Sequence, residues 1–145
     1  MSAGTDTIDS VQTALINAGV GQKTNSATDW MLYKWTMQDS DPAATQKIAD
    51  RAICIYDSPG MPPEEGMMID YPDIQIVARG RPDDARAVRE KMQEIFAALH
   101  AQEPDIGSAF VYFYAKHSAP LSLGIDERRR YKMSYNFRSM RNRPT

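Results

Sequence analysis

The chain has 145 residues, 42% of them hydrophobic and 25% charged, proportions that suit one globular domain with a core needing no disulfide or metal. No apolar run approaches the ~18 residues of a membrane span, the opening MSAGTDTIDS lacks the basic and apolar regions of a secretion signal, and one cysteine, Cys54, excludes an internal disulfide or a cysteine metal cage and fits a reducing cytoplasm. The net charge of −2 hides an asymmetry, because residues 1–125 carry 10 Lys+Arg against 17 Asp+Glu while residues 126–145 carry 7 against 2. An acidic body with a basic end suits head-to-tail association as well as it suits nucleic acid.

Thr5 to Ala18 reads as a helix. Ile8, Val11 and Leu15 recur at the spacing of one buried face, Thr5 or Thr7 can cap the start, and Gly19 to Gly21 stops it. In residues 29–39, Met31, Tyr33, Trp35 and Met37 alternate with Leu32, Lys34 and Thr36, as a strand requires. Residues 39–50 read as a loop or a short helical excursion. A second strand opens at RAICIYD, with Ile53 and Ile55 on one face, and Pro59, Gly60, Pro62 and Pro63 are expected to end it in a turn. YPDIQIVARG, residues 71–80, is a third strand.

The clearest periodicity predicts a helix from about Pro82 to Ala101. Pro82 suits its first turn, Asp83 and Asp84 suit the positive end of its dipole, and Val88, Met92, Ile95 and Leu99 form its apolar stripe. Ser108 to His117 is a strand apolar on both faces, so a central position is expected. Residues 118–130 read as a long loop. In the final strand, Tyr131–Ser139, Tyr131, Met133, Tyr135 and Phe137 face the core while Lys132, Ser134, Asn136 and Arg138 face water. The element order predicts an α+β domain over residues 1–145: a mixed or antiparallel sheet of about five strands, with the long helix packed on one face and an N-terminal helix beside it. Residues 72–117 are long enough for a crossover between parallel strands.

Catalytic chemistry finds no constellation in the sequence. His100 and His117 end different elements and lack carboxylates at metal-ligand spacing. Asp83–Asp84 cannot converge on one bond as an acid/base pair, since neighbours on a helix point about 100° apart, and Glu64–Glu65 sits in a Pro/Gly loop and reads as solvated. Cys54 sits in an Ile-rich strand and reads as an inert buried thiol. Gly80, between strand and helix, occupies the place of a phosphate loop, but RGRPDD puts aspartates where phosphate would sit. No catalytic, metal-binding or cofactor-binding residue is therefore expected. Phe110, Tyr112, Phe113 and Tyr114 could stack bases, but without interleaved cations they read better as a core strand. Arg128, Arg129 and Arg130 have two readings, a grip on nucleic acid or a contact between subunits. The second is favoured because Asp126 and Glu127 precede them and strand neighbours alternate in direction.

The segments YPDIQIVARG and SAPLSLGIDERRRYKMSYNF, with the helix and aromatic strand between them, resemble the tail-terminator and minor capsid (neck) proteins of tailed bacteriophages. The residues that carry the resemblance are Pro72, Ile74, Gln75, Ile76, Arg79, Ala85, Leu99, Pro120, Leu123, Gly124, Asp126, Tyr135, Phe137 and Arg138. It covers roughly residues 66–143, and residues 22–63 align with nothing. The resemblance implies a structural virion protein without catalysis or cofactor, assembled in the host cytoplasm. Its subunits would form a homo-hexameric ring that caps the tail tube and meets the tail tube protein and the head-completion or connector protein. DNA would pass only as cargo through the lumen, and no membrane is involved. A ring needs two different patches that fit each other. Asp126, Glu127, Arg128, Arg129, Arg130 and Arg138 are the candidate subunit or tail-tube contacts. The alternative is a nucleic-acid-binding module using the Arg-rich C-terminal segment.

Overall fold

Two helices cover one face of a six-stranded mixed sheet in the computed structural model, which describes residues 7–21, 30–35, 50–64, 69–100 and 111–142. The elements are α1 (Thr7–Asn17), β1 (Met31–Lys34), β2 (Ala52–Glu64), β3 (Ile69–Pro82), α2 (Ala85–Leu99), β4 (Val111–Ala115), β5 (Leu121–Ile125) and β6 (Arg130–Asn142). The α+β class expected from the sequence holds, with six strands in place of about five. The order is β1-β2-β3-β6-β4, and β5 pairs with β6 on the same side as β4. β1 is parallel to β2, and the other pairings are antiparallel. β3 and β4 therefore run in the same direction with β6 inserted between them, so the β3–α2–β4 crossover straddles a strand.

Register explains the core. Ile53 pairs with Ala78 and Ala78 with Met133; Ile55 pairs with Ile76 and Ile76 with Tyr135; Ile74 pairs with Phe137. These rows share one face and are buried with Ile8, Val11 and Leu15 of α1 and Val88, Met92, Ile95 and Leu99 of α2. Each large side chain so buried contributes about 1.5–3 kcal/mol. The next row, Tyr56–Gln75–Asn136, lies on the opposite face and is half-buried.

Polar contacts fix α2 over this face. Asp84 caps its start by accepting the Ala87 N–H at 3.2 Å. At its end the His100 ring stacks on Phe96 at 4.5 Å, and its Nδ1 accepts the Ala115 N–H of β4 at 3.0 Å. Lys91 reaches back to the Val20 carbonyl after α1 at 3.0 Å and pairs with Glu94 at 2.7 Å.

The structure corrects five expectations. Pro82 belongs to the end of β3, opposite Arg130, and not to the first turn of α2; a register shift after Arg79 accommodates a residue without an N–H. The prolines after Ser58 do not end β2, which continues against β3 to Glu64 through two register shifts. β1 covers only Ala52 to Ile55, so beyond that point β2 has no other described neighbour demanding its ladder N–H groups. β4 lies at the sheet's edge and is not central: Phe113 is buried but Tyr114 is 39% exposed. Residues 118–130 contain a strand, β5, which forms a hairpin with β6. The expected strand to residue 39 leaves β1 at Trp35, whose φ is 64°. Residues 36–49, 101–110 and the first six, where parts of the expected helices, strands and loop fall, lie outside the described residues.

Gly80 sets the distance between β3 and α2. A Cβ there would lie 2.5 Å from Val88 Cγ2 and 3.2 Å from the Asp84 carbonyl, and a β-branched valine has little freedom to move aside. Gly80→Ala is expected to cost about 1–3 kcal/mol in urea unfolding, with Val88→Ala recovering part of that loss in the double variant. Unchanged stability of Gly80→Ala alone would contradict the close packing.

Candidate functional site

The β5–β6 hairpin is built by two residues. Gly124, at φ 87°, forms a bulge where the register moves from Ser122–Met133 to Gly124–Lys132. Asp126 then organises the turn. Its Oδ1 accepts the N–H groups of Arg128 and Arg130, each at 2.9 Å, while its backbone exchanges hydrogen bonds with Arg129 and Arg130 at 3.0 Å. Burial opposes ionisation of Asp126. The Arg130 N–H and guanidinium and the Arg128 N–H outweigh it and hold the carboxyl below the ordinary aspartate range.

The three consecutive arginines go three ways. Arg130 is turned inward, 3% exposed, with Nε 2.8 Å from Asp126 Oδ2 and Nη1 3.3 Å from Asp50 Oδ1. Asp50 is gripped again by the fully buried Arg79, whose Nε donates to its carbonyl at 3.0 Å. Arg129, at φ 64°, pairs with Asp83 at 2.8 Å, and its carbonyl accepts the Asp83 N–H at 3.0 Å. That link fastens the hairpin turn to the corner between β3 and α2, where Asp83 is also left-handed at φ 61°. Arg128 and Glu127 are exposed on the turn. An open groove of about 410 Å³ lies at the foot of the hairpin between Ile125, Asp126, Glu127, Arg128, Arg130 and Lys132.

Arg138 does not join this cluster. It lies further along β6, opposite Asp73 of β3 and Tyr114 of β4. Its Nε is 3.1 Å from Asp73 Oδ1, and Lys116 Nζ is 2.9 Å from Asp73 Oδ2. Asp73 is 4% exposed; burial works against its charge, but the hydrogen bonds from Arg138 and Lys116 prevail and lower its pKa. The sequence reading did not foresee the carboxylate partners of these arginines, Asp50, Asp73 and Asp83.

It also missed the exposed apolar residues. Among the described residues the large hydrophobic side chains left exposed are Trp35, Tyr114, Leu121, Leu123 and Ile125. The alternation in LSLGI was the available signal. The remaining reactive groups serve structure. The His117 ring stacks on Tyr135 at 5.1 Å, and its Nε2 accepts the Asn136 N–H at 3.1 Å. Cys54 is buried, and burial pushes its thiol pKa up. Among the described residues no three His, Cys, Asp or Glu side chains gather as a metal site, and no helix is long and apolar enough to cross a membrane.

Residues 14–140 match the family described as bacteriophage tail terminator protein. The chain belongs to that family and is a structural protein of the phage tail. The match extends through residues 22–63, which resembled nothing on inspection of the sequence. No curated protein matches the chain.

The depressed pKa values of Asp73 and Asp126 set an acid dependence. A carboxyl whose folded pKa lies below its unfolded value stabilises the fold above the ordinary aspartate pKa of about 3.9, and this contribution is lost as the pH falls through the folded pKa. Asp73→Asn is expected to lose about 1.5–3 kcal/mol at pH 7 and to show a flatter decline in urea midpoint between about pH 5 and pH 2. A variant that loses stability equally at every pH would show that Asp73 is not the titrating clamp.

Proposed function

We propose that the protein is the ring-forming subunit that terminates the phage tail tube and joins the tail to the head connector. The observation that carries this reading is the family match over residues 14–140. The hairpin supports it, because it puts an exposed apolar strand and an exposed charged turn at one edge of the sheet. In this reading six copies close into a ring in the neck of the virion. The ring contacts the tail tube protein on one side and the head-completion or connector protein on the other, and DNA passes through its lumen. The protein acts by fit and does no catalysis. Glu127, Arg128 and Arg129 offer the charged contact to a subunit or the tube end; Asp126 and Arg130 hold the turn in shape, and Arg138 anchors β6. The nucleic-acid alternative gains nothing from this arrangement, since Arg130 is turned inward onto Asp126 and Asp50 and Arg138 is held by Asp73.

Mass photometry of the purified protein, alone and with tail tubes, tests the reading. Hexamer-sized particles and occupied tube ends are expected. Arg128→Glu combined with Arg129→Glu should weaken assembly or tube capping by about tenfold or more, equivalent to about 1.4 kcal/mol. Arg130 is left intact because its loss would unpair Asp126. Full assembly and capping by the double variant would remove the turn from the joint, and a chain that stays monomeric beside tail tubes would refute the ring.

A further inference from the structure

His117, Tyr135, Phe96 and His100 form a continuous run of rings, with centroids 5.1, 5.5 and 4.5 Å apart in turn. The two histidines are the ends of that run, and each accepts a backbone N–H. His100 Nδ1 takes the Ala115 N–H at 3.0 Å, and His117 Nε2 takes the Asn136 N–H at 3.1 Å. A ring nitrogen accepts a hydrogen bond only while it carries no proton. Both imidazoles are therefore neutral in this arrangement, and they are opposite tautomers. His100 holds its proton on Nε2, and His117 holds its proton on Nδ1, which donates to the Ala119 carbonyl.

These two bonds lie where one edge of β6 changes partner. β4 ends at Ala115 opposite Phe137, Lys116 still donates to the Asn136 carbonyl at 2.9 Å, and β5 resumes at Leu121 opposite Ser134. Residues 116–120 are thus set against only 135–136, and the chain leaves the sheet and returns to it between the two strands. Protonating either imidazole places an N–H donor against an N–H donor, and that bond is lost. The charged and titratable groups around the junction do not offset the loss. Lys116 and Arg138 of β6 both hold Asp73 of β3, burial keeps the Tyr135 phenol neutral, and from α2 the described contact is the apolar Phe96. Among the described residues no carboxylate contacts either ring. The carbonyl end of α2 favours a cation at His100. Those carbonyls accept where the Ala115 N–H donates, so a charged ring gains by exchanging one for the other.

We propose that His100 and His117 form an acid-sensitive latch, which ties the junction between β4 and β5 to the core while both rings are neutral and frees it when they take up protons. The sign follows from the two contacts. The closed junction needs neutral rings and the open one does not, so closure is complete above the ordinary imidazole pKa of about 6.5 and weakens as the pH falls below it. This window lies above the one in which Asp73 and Asp126 titrate, so the two are read separately. The latch anchors the upstream end of the edge that carries the β5–β6 hairpin, and it operates whether or not that hairpin meets another subunit.

Long-range proton–nitrogen NMR of the full chain above the imidazole range reads the tautomers directly. The proton is expected on Nε2 of His100 and on Nδ1 of His117, and a His117 protonated on Nε2 would overturn the latch. Between about pH 7.5 and pH 5.5 the exchange protection of the Ala115 and Asn136 amides, corrected for intrinsic rates, should fall about tenfold for each histidine released. The amides of the β2–β3 ladder should keep their protection over the same range. His100→Gln combined with His117→Gln supplies amide oxygens that accept an N–H at every pH, and this should flatten the dependence. If circular dichroism shows that double variant misfolded, the tautomers and amide exchange of the parent decide the matter. Protection of Ala115 and Asn136 that does not change with pH would overturn the proposal. So would an unflattened dependence in the folded double variant, or a loss shared equally by the β2–β3 ladder, which is global unfolding and not a local release.

Discussion

The structure depends on where its last strand goes. β6 lies between β3 on one side and β4 with β5 on the other, so the sheet is incomplete until the final described segment of chain is inserted. One face of β6 supplies Met133, Tyr135 and Phe137 to the core beneath the helices. The other face carries Arg138, which meets Asp73 across 65 residues of sequence. An inserted strand held by such distant pairings makes the fold strongly non-local, and the entropy of closing those loops must be met before the contacts form. Among the described residues β5 pairs only with this strand, and all five of its residues are exposed. The hairpin that offers the candidate contact is therefore held out by the strand that completes the core.

The same economy governs charge. A cluster of arginines beside an exposed apolar strand would ordinarily read as a sticky surface. Here Asp50, Asp73, Asp83 and Asp126 take up most of that charge and convert it into internal fastening. Arg130 and Arg79 together hold the chain entering β2, and Arg129 holds the corner entering α2. Exposed on the turn are Glu127, Arg128 and Arg129, next to the apolar edge. A subunit of a phage tail gains from this division, since a contact surface held rigid loses less entropy on association.

Much of the fold was legible in the sequence because burial wrote it there. The stripe Val88, Met92, Ile95 and Leu99 announced α2, and the alternations at Ile74–Ile76 and at Met133–Phe137 announced β3 and β6. The failures share a cause. β5 has no buried face, so the alternation of Leu121, Leu123 and Ile125 marked no side of the core and passed for part of a loop. β2 beyond Ser58 was hidden by prolines that pairing on one side alone tolerates. β4 looked central because Tyr114 is apolar in composition yet exposed at an edge. Within the candidate site, the run of three arginines gave no hint that Arg130 would turn inward. That direction is set by Asp126 and by Asp50, a residue 80 positions away.

The central claim is that this chain ends the tail tube. Electron microscopy of phage particles produced without the protein tests it most directly, by measuring tube length and the fraction of tails attached to heads. The account predicts tubes of irregular, extended length that remain unjoined, restored to uniform joined tails when the protein is supplied. Tails of normal length attached to heads in its absence would contradict it.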